Sequence, residues 1–385
     1  MHGHARVFAG MITDVPDDDV DVLEREQERE REREITTPVA LCLPDGKLNR
    51  AAVGWTRHPL HRTNLRGWGR TKRWDYWGLM TPSHVIGVTV SSLDYAAVHQ
   101  IWVLDRRSGT EIDAGAVVPL ARGTVLPESL GGGAAQARAH RLVIDIEDAP
   151  LTFGTATTGT DTTGTDTTGT HPTDAGTRIT VRTPRVDIDV VAGATPGHEA
   201  LGVVVPWSDR HFQYTVKDLA RPLVGTVVID GERLDVGPHD AWAVLDHGRG
   251  RWPYSMTWNW GAGSGRVDGH VVGVQVGGRW TDGTGSTENA LLLDGRLHKN
   301  SDELVWDYDR HDWRAPWRVH DRDRARVDLV LTPFHERVAR TNLLVVAGET
   351  HQCFGTWTGW MTTDTGERVR VDGVEGWAEE ARNRW

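Results

Sequence analysis

The sequence is built from short runs in which apolar and polar residues alternate, and helical periodicity is nearly absent. Residues 186–190 read VDIDV, and residues 86–90 repeat the alternation as IGVTV. Turn signals such as Asp230-Gly231 and Asp294-Gly295 separate runs of this kind. Because such strands follow one another without helices between them, the pattern predicts an antiparallel β-sandwich or barrel.

The length of 385 residues favours two β units rather than one. We expect a first β-barrel or half-barrel at residues 35–205 and a second at residues 206–385. Residues 376–383 are predicted to form one short helix at the C-terminus. The predicted fold class is therefore mostly β, with two antiparallel units and a separate N-terminal tail.

Residues 1–34 form the predicted tail, which contains eleven acidic residues and five arginines. Opposite charges recur three residues apart in its Glu/Arg run, a spacing that mildly supports a solvated helix. No apolar stripe is present that would dock such a helix. We expect a disordered segment or a lone charged helix with no catalytic role.

A low-complexity segment interrupts the first β unit. Residues 155–170 read TATTGTDTTGTDTTGT, and alternating apolar residues precede and follow them. A Gly/Thr run without apolar partners cannot form a core, whereas long insertions at exposed hairpin tips cost little. Residues 155–176 are therefore predicted to be an expanded hairpin loop between two paired strands.

Charge and composition exclude several classes of protein. Lys and Arg total 43 and Asp and Glu total 54, a net charge of −11 that argues against a nucleic-acid-binding protein. No apolar run reaches the roughly 18–20 residues of a transmembrane segment, and the first residues lack the apolar core of a secretory signal. Cys42 and Cys353 are too few for a disulfide scaffold or a zinc cluster. Together these observations predict a cytoplasmic protein. No metal or cofactor motif is present, so no cofactor is expected, and the sequence leaves the oligomeric state open.

Tryptophan is the unusual component of this composition. The chain has 18 Trp against 5 Tyr and 5 Phe, and nine of the 18 lie between residues 207 and 317. A large apolar cavity needs such side chains in its wall, although ordinary core and rim positions explain them equally well. The candidate lining residues for a hydrophobic ligand are Trp207, Trp242, Trp252, Trp258 and Trp260.

The most concentrated chemistry lies in residues 242–260, WAVLDHGRGRWPYSMTWNW. Burial among tryptophans raises the pKa of a carboxyl group, so Asp246 is a candidate general acid near neutral pH. His247 and Tyr254 are candidates to orient it or relay protons, and Trp faces can stabilise a developing cation. The alternative is that Asp246 pairs with an arginine and holds a turn.

Three further polar residues are candidates for contact with the same ligand. Glu288 follows a turn in WTDGTGSTEN and either faces the cavity, orienting a water or a polar head group, or lies at its rim. Asn259 belongs to the Trp-rich segment. His211 begins the segment HFQYTVK, where alternation puts it on the same face as Gln213.

Several motifs together resemble the domain-of-unknown-function family 2804. They are GWGRTKRWDYWG, FQYTVK, DHGRGRWPY, WNWGAG, WTDGTGSTENAL and HQCFGTWTGW, and the resemblance extends over about residues 38–385. The family is distantly similar to two-barrel lipocalin-like proteins that include carotenoid 1,2-hydratases. That similarity implies two lipocalin-like barrels and an aspartate that protonates an alkene in an apolar cavity. The matching positions are Asp246, His247, Trp252 and Tyr254.

Three hypotheses for function follow. The first is a cofactor-independent hydratase- or isomerase-like enzyme acting on a lipid- or isoprenoid-like molecule, with Asp246 as proton donor. The second is a non-catalytic carrier of a hydrophobic molecule, in which Asp246 is held in a salt bridge, with Arg249 or Arg251 as candidate partners. The third is a structural or interaction protein whose tryptophans fill the barrel and leave no cavity.

Overall fold

The computed structural model describes residues 32–150, 175–343 and 346–384. In these ranges the chain is mostly β, and the 3-10 turn Arg50–Ala52 is the only helical element. No helix within them has the length and apolar character that a membrane span requires.

Sixteen strands lie in the described residues up to Arg251: β1 Val39–Ala40, β2 Trp55–Thr56, β3 His61–Arg62, β4 Thr71–Met80, β5 His84–Ser92, β6 Ala96–Asp105, β7 Glu111–Pro119, β8 Thr124–Val125, β9 Ala135–Ala139, β10 Leu142–Pro150, β11 Ala175–Arg182, β12 Val186–Gly193, β13 Leu201–Pro206, β14 Phe212–Ile229, β15 Glu232–Val236 and β16 Trp242–Arg251. Ten strands lie in the described residues after them: β17 Ser255–Val267, β18 His270–Gly278, β19 Asn289–Leu293, β20 Arg296–Asn300, β21 Leu304–Asp307, β22 Trp317–Asp321, β23 Val327–Leu343, β24 Val346–Thr362, β25 Arg368–Arg370 and β26 Val374–Arg384.

The first half-barrel is one antiparallel sheet of fourteen strands within the described residues, β2 and β4–β16. Its main path runs β7-β6-β5-β4-β16-β14-β12-β11-β10-β9-β8. Strand β14 is 18 residues long and carries a bulge between Asp218 and Arg221, where Ala220 has φ 50°. A bulge bends a strand, so β14 pairs with β13 before the bulge and with β12 and β15 after it, and the sheet curls.

The second half-barrel is an antiparallel sheet of ten described strands, in the order β20-β19-β18-β17-β26-β24-β23-β22-β21, with β25 on β24. Only residues 252–254 separate the last strand of the first sheet from the first strand of the second. The two curled antiparallel half-barrels confirm the predicted mostly-β class. The domain boundary at residue 205 stays a prediction, while the hydrogen-bonded sheets change over at residues 252–254.

Among the apolar clusters of the described residues, three form the interiors of the two half-barrels and the interface between them. One fills the first half-barrel and includes Ile144 and Ile188, and another fills the second and includes Leu329. The third lies between the sheets, where Trp102 of β6 stacks on Phe354 of β24 with ring centres 5.2 Å apart. The two half-barrels therefore share a packed interface.

The predicted C-terminal helix is wrong, because residues 376–383 lie in strand β26. This strand runs between β17 and β24 and pairs with both. Alanine and glutamate favour helices in isolation. Residues 376–381 are nevertheless all buried, so both faces of the strand are covered. Pairing on two sides outweighs the local helix propensity.

Two low-complexity predictions fall partly outside the described residues. Strands β10 and β11 do pair antiparallel, with Ile146 opposite Ile179, but the Thr/Gly segment between them lies outside the described part of the chain. Most of the charged tail is outside it as well. Its last residues are described, and Oε1 of Glu32 forms an ion pair at 2.5 Å with Nζ of Lys299. Both side chains are about 5% exposed, so this end of the tail is part of the folded body.

Candidate active site

A cavity of about 300 Å³ lies between the two half-barrels, and each sheet supplies one wall. The first wall is a row of side chains on one face of five neighbouring strands, β14, β16, β4, β5 and β6. The register sets them side by side in the order Lys217, Asp246, Tyr76, Thr89 and Gln100. Because neighbouring strands are about 4.8 Å apart, the row extends across the whole cavity.

The second wall is a matching row on β17, β26, β24 and β23. The register places Trp260, Glu379, Gln352 and Arg337 side by side in that order. All four side chains line the cavity. Each wall thus combines aromatic surface with charged groups.

Hydrogen bonds join the two rows at one end of the cavity. Nη2 of Arg337 donates to Oε1 of Gln100 at 2.7 Å. Nε2 of Gln352 donates to the hydroxyl oxygen of Tyr76 at 3.4 Å. These side-chain bonds bridge sheets that share no ladder hydrogen bond in the described residues.

A cluster of tryptophans closes the other end. Trp252 lies in the short link between the sheets and stacks on Trp280, with ring centres 5.6 Å apart and planes at 11°. Trp74 and Trp258 meet Trp252 edge-on at 5.6 and 5.7 Å. All four rings line the cavity, which can therefore hold an apolar molecule.

The carboxylate of Asp246 accepts two side-chain hydrogen bonds and forms one ion pair. Oδ2 accepts from Nε1 of Trp74 at 3.0 Å. Oδ1 accepts from Oγ1 of Thr215 at 3.1 Å and lies 2.9 Å from Nζ of Lys217. These three contacts hold the Asp246 carboxyl group in a fixed position on the cavity wall.

Lys217 links the charged groups of the cavity. Its Nζ lies 3.2 Å from Oε2 of Glu288 and 4.2 Å from the centre of the Trp260 ring. Burial disfavours the ammonium charge, but the carboxylates of Asp246 and Glu288 outweigh burial and raise the pKa of Lys217. The residue is therefore a buried cation held by two acids and one aromatic face.

Glu288 is buried behind this pair. Its Oε1 accepts from Nε1 of Trp280 at 2.5 Å. Burial raises the pKa of Glu288 to about 7, and Asp246 adds to this effect while Lys217 opposes it. A Cβ atom at Gly277 would lie 2.3 Å from Glu288, so the neighbouring strand has to leave this space open.

Glu379 faces the cavity from the opposite wall. Its Oε1 accepts from Nε1 of Trp258 at 3.0 Å, and the residue is 6% exposed. Burial raises the pKa of Glu379 to about 7, although the Trp258 N–H and the charge on Lys217 favour its ionised form. Glu379 therefore exchanges a proton near neutral pH.

A glycine gives Trp74 its position beside Asp246. A Cβ atom at Gly248 would lie 2.2 Å from the Trp74 ring and 2.6 Å from Nε2 of Gln213. Gly248 is opposite Trp74 in the register, so the indole lies across the strand where a side chain would otherwise stand. Gly248, in the DHGRGR segment, therefore leaves the space that the Trp74 ring occupies in the cavity wall.

A family model described as Domain of unknown function (DUF2804) matches residues 32–385. The chain belongs to this family. No curated protein matches it.

Solved structures resemble the DUF2804 chain at low sequence identity. A putative AttH from Nitrosomonas europaea is 12% identical, with a TM-score of 0.50 and coverage of 91% of this chain and 98% of that one. CghA with Sch210972 is 13% identical, with a TM-score of 0.47 and coverage of 82% and 88%. Kievitone hydratase from Nectria haematococca is 9% identical, with a TM-score of 0.47 and coverage of 82% and 89%. The first likeness shows a shared fold, and the other two carry no conclusion about activity.

The structure of the DUF2804 chain brings five of the sequence-predicted residues together around one cavity. They are Asp246, Trp252, Trp258, Trp260 and Glu288. The third hypothesis requires tryptophans that fill the barrel and leave no cavity, whereas here a cavity of about 300 Å³ lies beside them. Asp246 pairs with Lys217 on the adjacent strand, not with an arginine at a turn.

His247 and Asn259 face away from the cavity, on the opposite side of their strands. Nδ1 of His247 lies 2.8 Å from Oδ1 of Asp75, and burial together with the nearby Arg249 charge lowers the pKa of His247. Nδ2 of Asn259 donates to the Tyr308 hydroxyl at 3.1 Å. Neither side chain is placed to exchange protons with a ligand beside Asp246.

The four remaining predicted residues lie outside the cavity lining of the DUF2804 chain. Trp242 is buried at the far end of β16, and Trp207 packs behind Trp252 with ring centres 5.0 Å apart. His211 lies in the turn before β14, with Nδ1 3.3 Å from Oγ of Ser208. Tyr254 lies in the link between the sheets and is 51% exposed.

Sequence reasoning missed Lys217, Glu379 and Arg337, three of the charged residues in this site. Alternation in FQYTVK already puts Gln213, Thr215 and Lys217 on one face, and that row of polar residues in a buried strand was the available signal. Glu379 was not a candidate because residues 376–383 are predicted to form a helix. Among the described residues, no group of three or more His, Cys, Asp or Glu side chains is placed to hold a metal ion.

Proposed function

We propose that this chain catalyses proton transfer to and from an apolar, lipid- or isoprenoid-like small molecule, as in hydration of a double bond or its isomerisation. The observation that carries the proposal is the pair of unlike carboxyl groups on opposite walls. Glu379 is buried with one hydrogen-bond donor and has its pKa raised to about 7, whereas Asp246 has three donors. Two acids with unequal environments are the arrangement that acid–base catalysis needs.

In this proposal Glu379 is the acid and Asp246 the base. The protonated Glu379 gives its proton to one carbon of a double bond, which forms a C–H bond and leaves a cation on the adjacent carbon. Trp258, which lines the cavity beside Glu379, supplies an aromatic ring that stabilises that cation. In a hydration, water adds its oxygen to the cation and passes a proton to Asp246. In an isomerisation, Asp246 takes the proton from the neighbouring carbon, and exchange with solvent then restores both groups.

These roles differ from those expected from the sequence. Asp246 stays in the site but becomes the proton acceptor, because it lines the wall opposite Glu379, where it can take the proton that the ligand or water gives up. His247 faces Asp75 and Tyr254 lies outside the cavity lining, so neither has a role in the proposal. Lys217 holds Asp246 in place and balances its charge.

A carrier of a hydrophobic molecule is the second candidate. The carrier hypothesis requires Asp246 to be held in a salt bridge, and the ion pair with Lys217 meets that requirement. Such a protein uses the same tryptophan-lined cavity but transfers no proton to its ligand. The two candidates therefore differ in the fate of the bound molecule.

The deciding experiment compares molecules that co-purify with the wild type and with Glu379→Gln, after solvent extraction and mass spectrometry. The enzyme proposal expects the two proteins to retain different molecules that differ by water or by a double-bond position. The molecule from the variant, incubated with wild-type protein in deuterium oxide, should then gain deuterium on carbon. If both proteins retain the same molecule and no deuterium enters it, the chain is a carrier.

Glu380→Gln is a matched control for this experiment. Glu380 is the next residue of the same strand, but it faces the other side and pairs with Arg310 at 2.6 Å. This variant loses one acidic charge without touching the cavity. It should retain the same molecule as the wild type and convert the substrate normally.

A further inference from the structure

We infer that the molecule bound in this cavity carries a carboxylate group, and that Arg337 binds it with help from the hydroxyl of Tyr76. The inference deepens the proposed function, because it assigns a chemical class to the substrate of the same cavity. It rests on the surroundings of one buried cation.

Arg337 is 8% exposed and lines the cavity from β23. Its Nη2 and Nη1 donate to two neutral acceptors, Oε1 of Gln100 at 2.7 Å and Oε1 of Gln352 at 3.3 Å. Its guanidinium carbon lies 4.8 Å from the centre of the Trp102 ring. None of these groups carries a negative charge.

The other buried arginines of the described residues each have a carboxylate. Arg249 lies 2.9 Å from Oδ1 of Asp75, and Arg221 pairs with Asp218. Within the described residues, Arg337 forms no ion pair with an acidic side chain, and Glu379 interacts with it only through its charge at longer range. A buried cation is costly unless it is paired, so an anion in the cavity is the missing partner.

The Tyr76 hydroxyl lies beside the guanidinium. A Cβ atom built on Gly87 would be 3.4 Å from the Tyr76 hydroxyl and 3.5 Å from Nη1 of Arg337, so the two groups flank one position. The hydroxyl oxygen accepts from Gln352, which leaves its own proton to donate. Burial raises the pKa of Tyr76 to about 12, so the phenol stays a donor near neutral pH.

The remaining charges fix the orientation of an anionic ligand. Lys217 at the tryptophan end is already held by Asp246 and Glu288, and Arg73 is held by Asp94, so these cations are not open to a carboxylate. Arg337 and Glu379 are in register two strands apart, which is about 10 Å between their backbones. A ligand whose carboxylate lies on Arg337 therefore presents to Glu379 a carbon several bonds away. One guanidinium and one hydroxyl match a single negative charge, which favours a carboxylate over a phosphate.

Calorimetric titration with octanoate and with octanol tests this inference on the full chain. The two probes have the same chain length and differ in the charge of the head group. We expect the wild type to bind octanoate about tenfold to hundredfold more tightly than octanol, as a charge-assisted hydrogen bond supplies. Arg337→Gln should bind both probes equally, with the affinity for octanol unchanged.

Two further variants control for folding and for surface charge. Arg337→Lys keeps the charge but loses the forked donor geometry, so it should retain a weakened preference for octanoate. Arg340→Gln removes an exposed arginine of the same strand, 69% exposed in its side chain, and should leave the wild-type preference intact.

Equal binding of the two probes by the wild type, a preference that survives in Arg337→Gln, or no binding of octanoate would each overturn the inference. The measurement is separate from turnover, so it can fail while Glu379→Gln still abolishes deuterium incorporation. Conversely, Glu379→Gln should keep the preference for octanoate even if the chain proves to be a carrier.

Discussion

Nζ of Lys217 lies 2.9 Å from Oδ1 of Asp246, and this ion pair between adjacent strands is buried at the meeting point of the two half-barrels. The same ammonium group is shared with Glu288 at 3.2 Å. A buried pair of this kind contributes little net stability when complete, but it is costly to break. The ammonium group of Lys217 therefore stabilises two carboxyl groups, those of Asp246 and Glu288, in one apolar cavity.

Replacing Lys217 with Met should lower the free energy of unfolding by about 3–5 kcal/mol, because Asp246 and Glu288 are left buried without their cation. Urea unfolding followed by tryptophan fluorescence measures the change. Adding Asp246→Asn should recover part of the loss. Arg340→Met breaks only the exposed pair with Glu349 and should cost about 0–1 kcal/mol. A loss for Lys217→Met no larger than that of this control would contradict the prediction.

Glu379 should make stability depend on pH in a defined window. Its pKa is near 4.5 when unfolded and about 7 when folded, so the native state binds the extra proton between these values. The contribution is therefore complete below pH 4.5 and is lost as the pH rises through 7. Between pH 5 and pH 8 the wild type should lose about 2–3 kcal/mol relative to Glu379→Gln. Urea unfolding of both proteins at the two pH values tests this, and a constant difference would refute it.

Gly248→Ala should destabilise the protein by about 1–3 kcal/mol, since the added methyl group overlaps the Trp74 ring and forces it to move. The same shift should remove the hydrogen bond from Trp74 to Asp246 and weaken binding in the cavity. Thermal unfolding and octanoate titration measure the two effects. Gly237→Ala is the matched control, because nothing lies within 4 Å of its new Cβ, and it should change stability by less than about 0.5 kcal/mol. Similar results for the two variants would contradict the prediction.

The alternation in the sequence predicts β-strands, but it locates residues only by face. Trp242 shares a face with Asp246 and still lies outside the cavity, because four residues along a strand cover about 13 Å. Applied strictly, the same alternation already separates His247 from Asp246 and Asn259 from Trp260. The catalytic candidates were chosen by nearness in sequence, which in a strand joins residues on opposite faces.

The opposite wall could not be predicted from local pattern. Glu379 and Arg337 are adjacent to Lys217 and Gln100 only through the packing of one sheet on the other, which depends on contacts far apart in the chain. Residues 376–383 contain strong helix formers, so the local pattern predicts a helix where Glu379 in fact lies in a strand. Its strand is set by pairing with β17 and β24, which precede it by about 30 to 120 residues.

Glu32 should be important for stability, although it belongs to a segment predicted to be an appendage. Its carboxylate is the ion-pair partner of the buried Lys299. Glu32→Gln should lower the free energy of unfolding by about 3–5 kcal/mol, because the ammonium group then lacks its counter-charge. Glu34→Gln alters only a partly exposed pair with Arg57 and should cost under about 1 kcal/mol. Equal urea midpoints for the two variants would show that the tail end is dispensable.

The separation of the two sheets has a consequence for how such a protein changes over evolution. No strand ladder in the described residues spans the cavity, so its width depends on side-chain packing between the sheets and on side-chain hydrogen bonds such as Tyr76 with Gln352 and Arg337 with Gln100. Substituting those few side chains alters the dimensions of the cavity without changing a single backbone hydrogen bond. The dimensions of the cavity can therefore change during evolution while the two hydrogen-bonded sheets stay as they are.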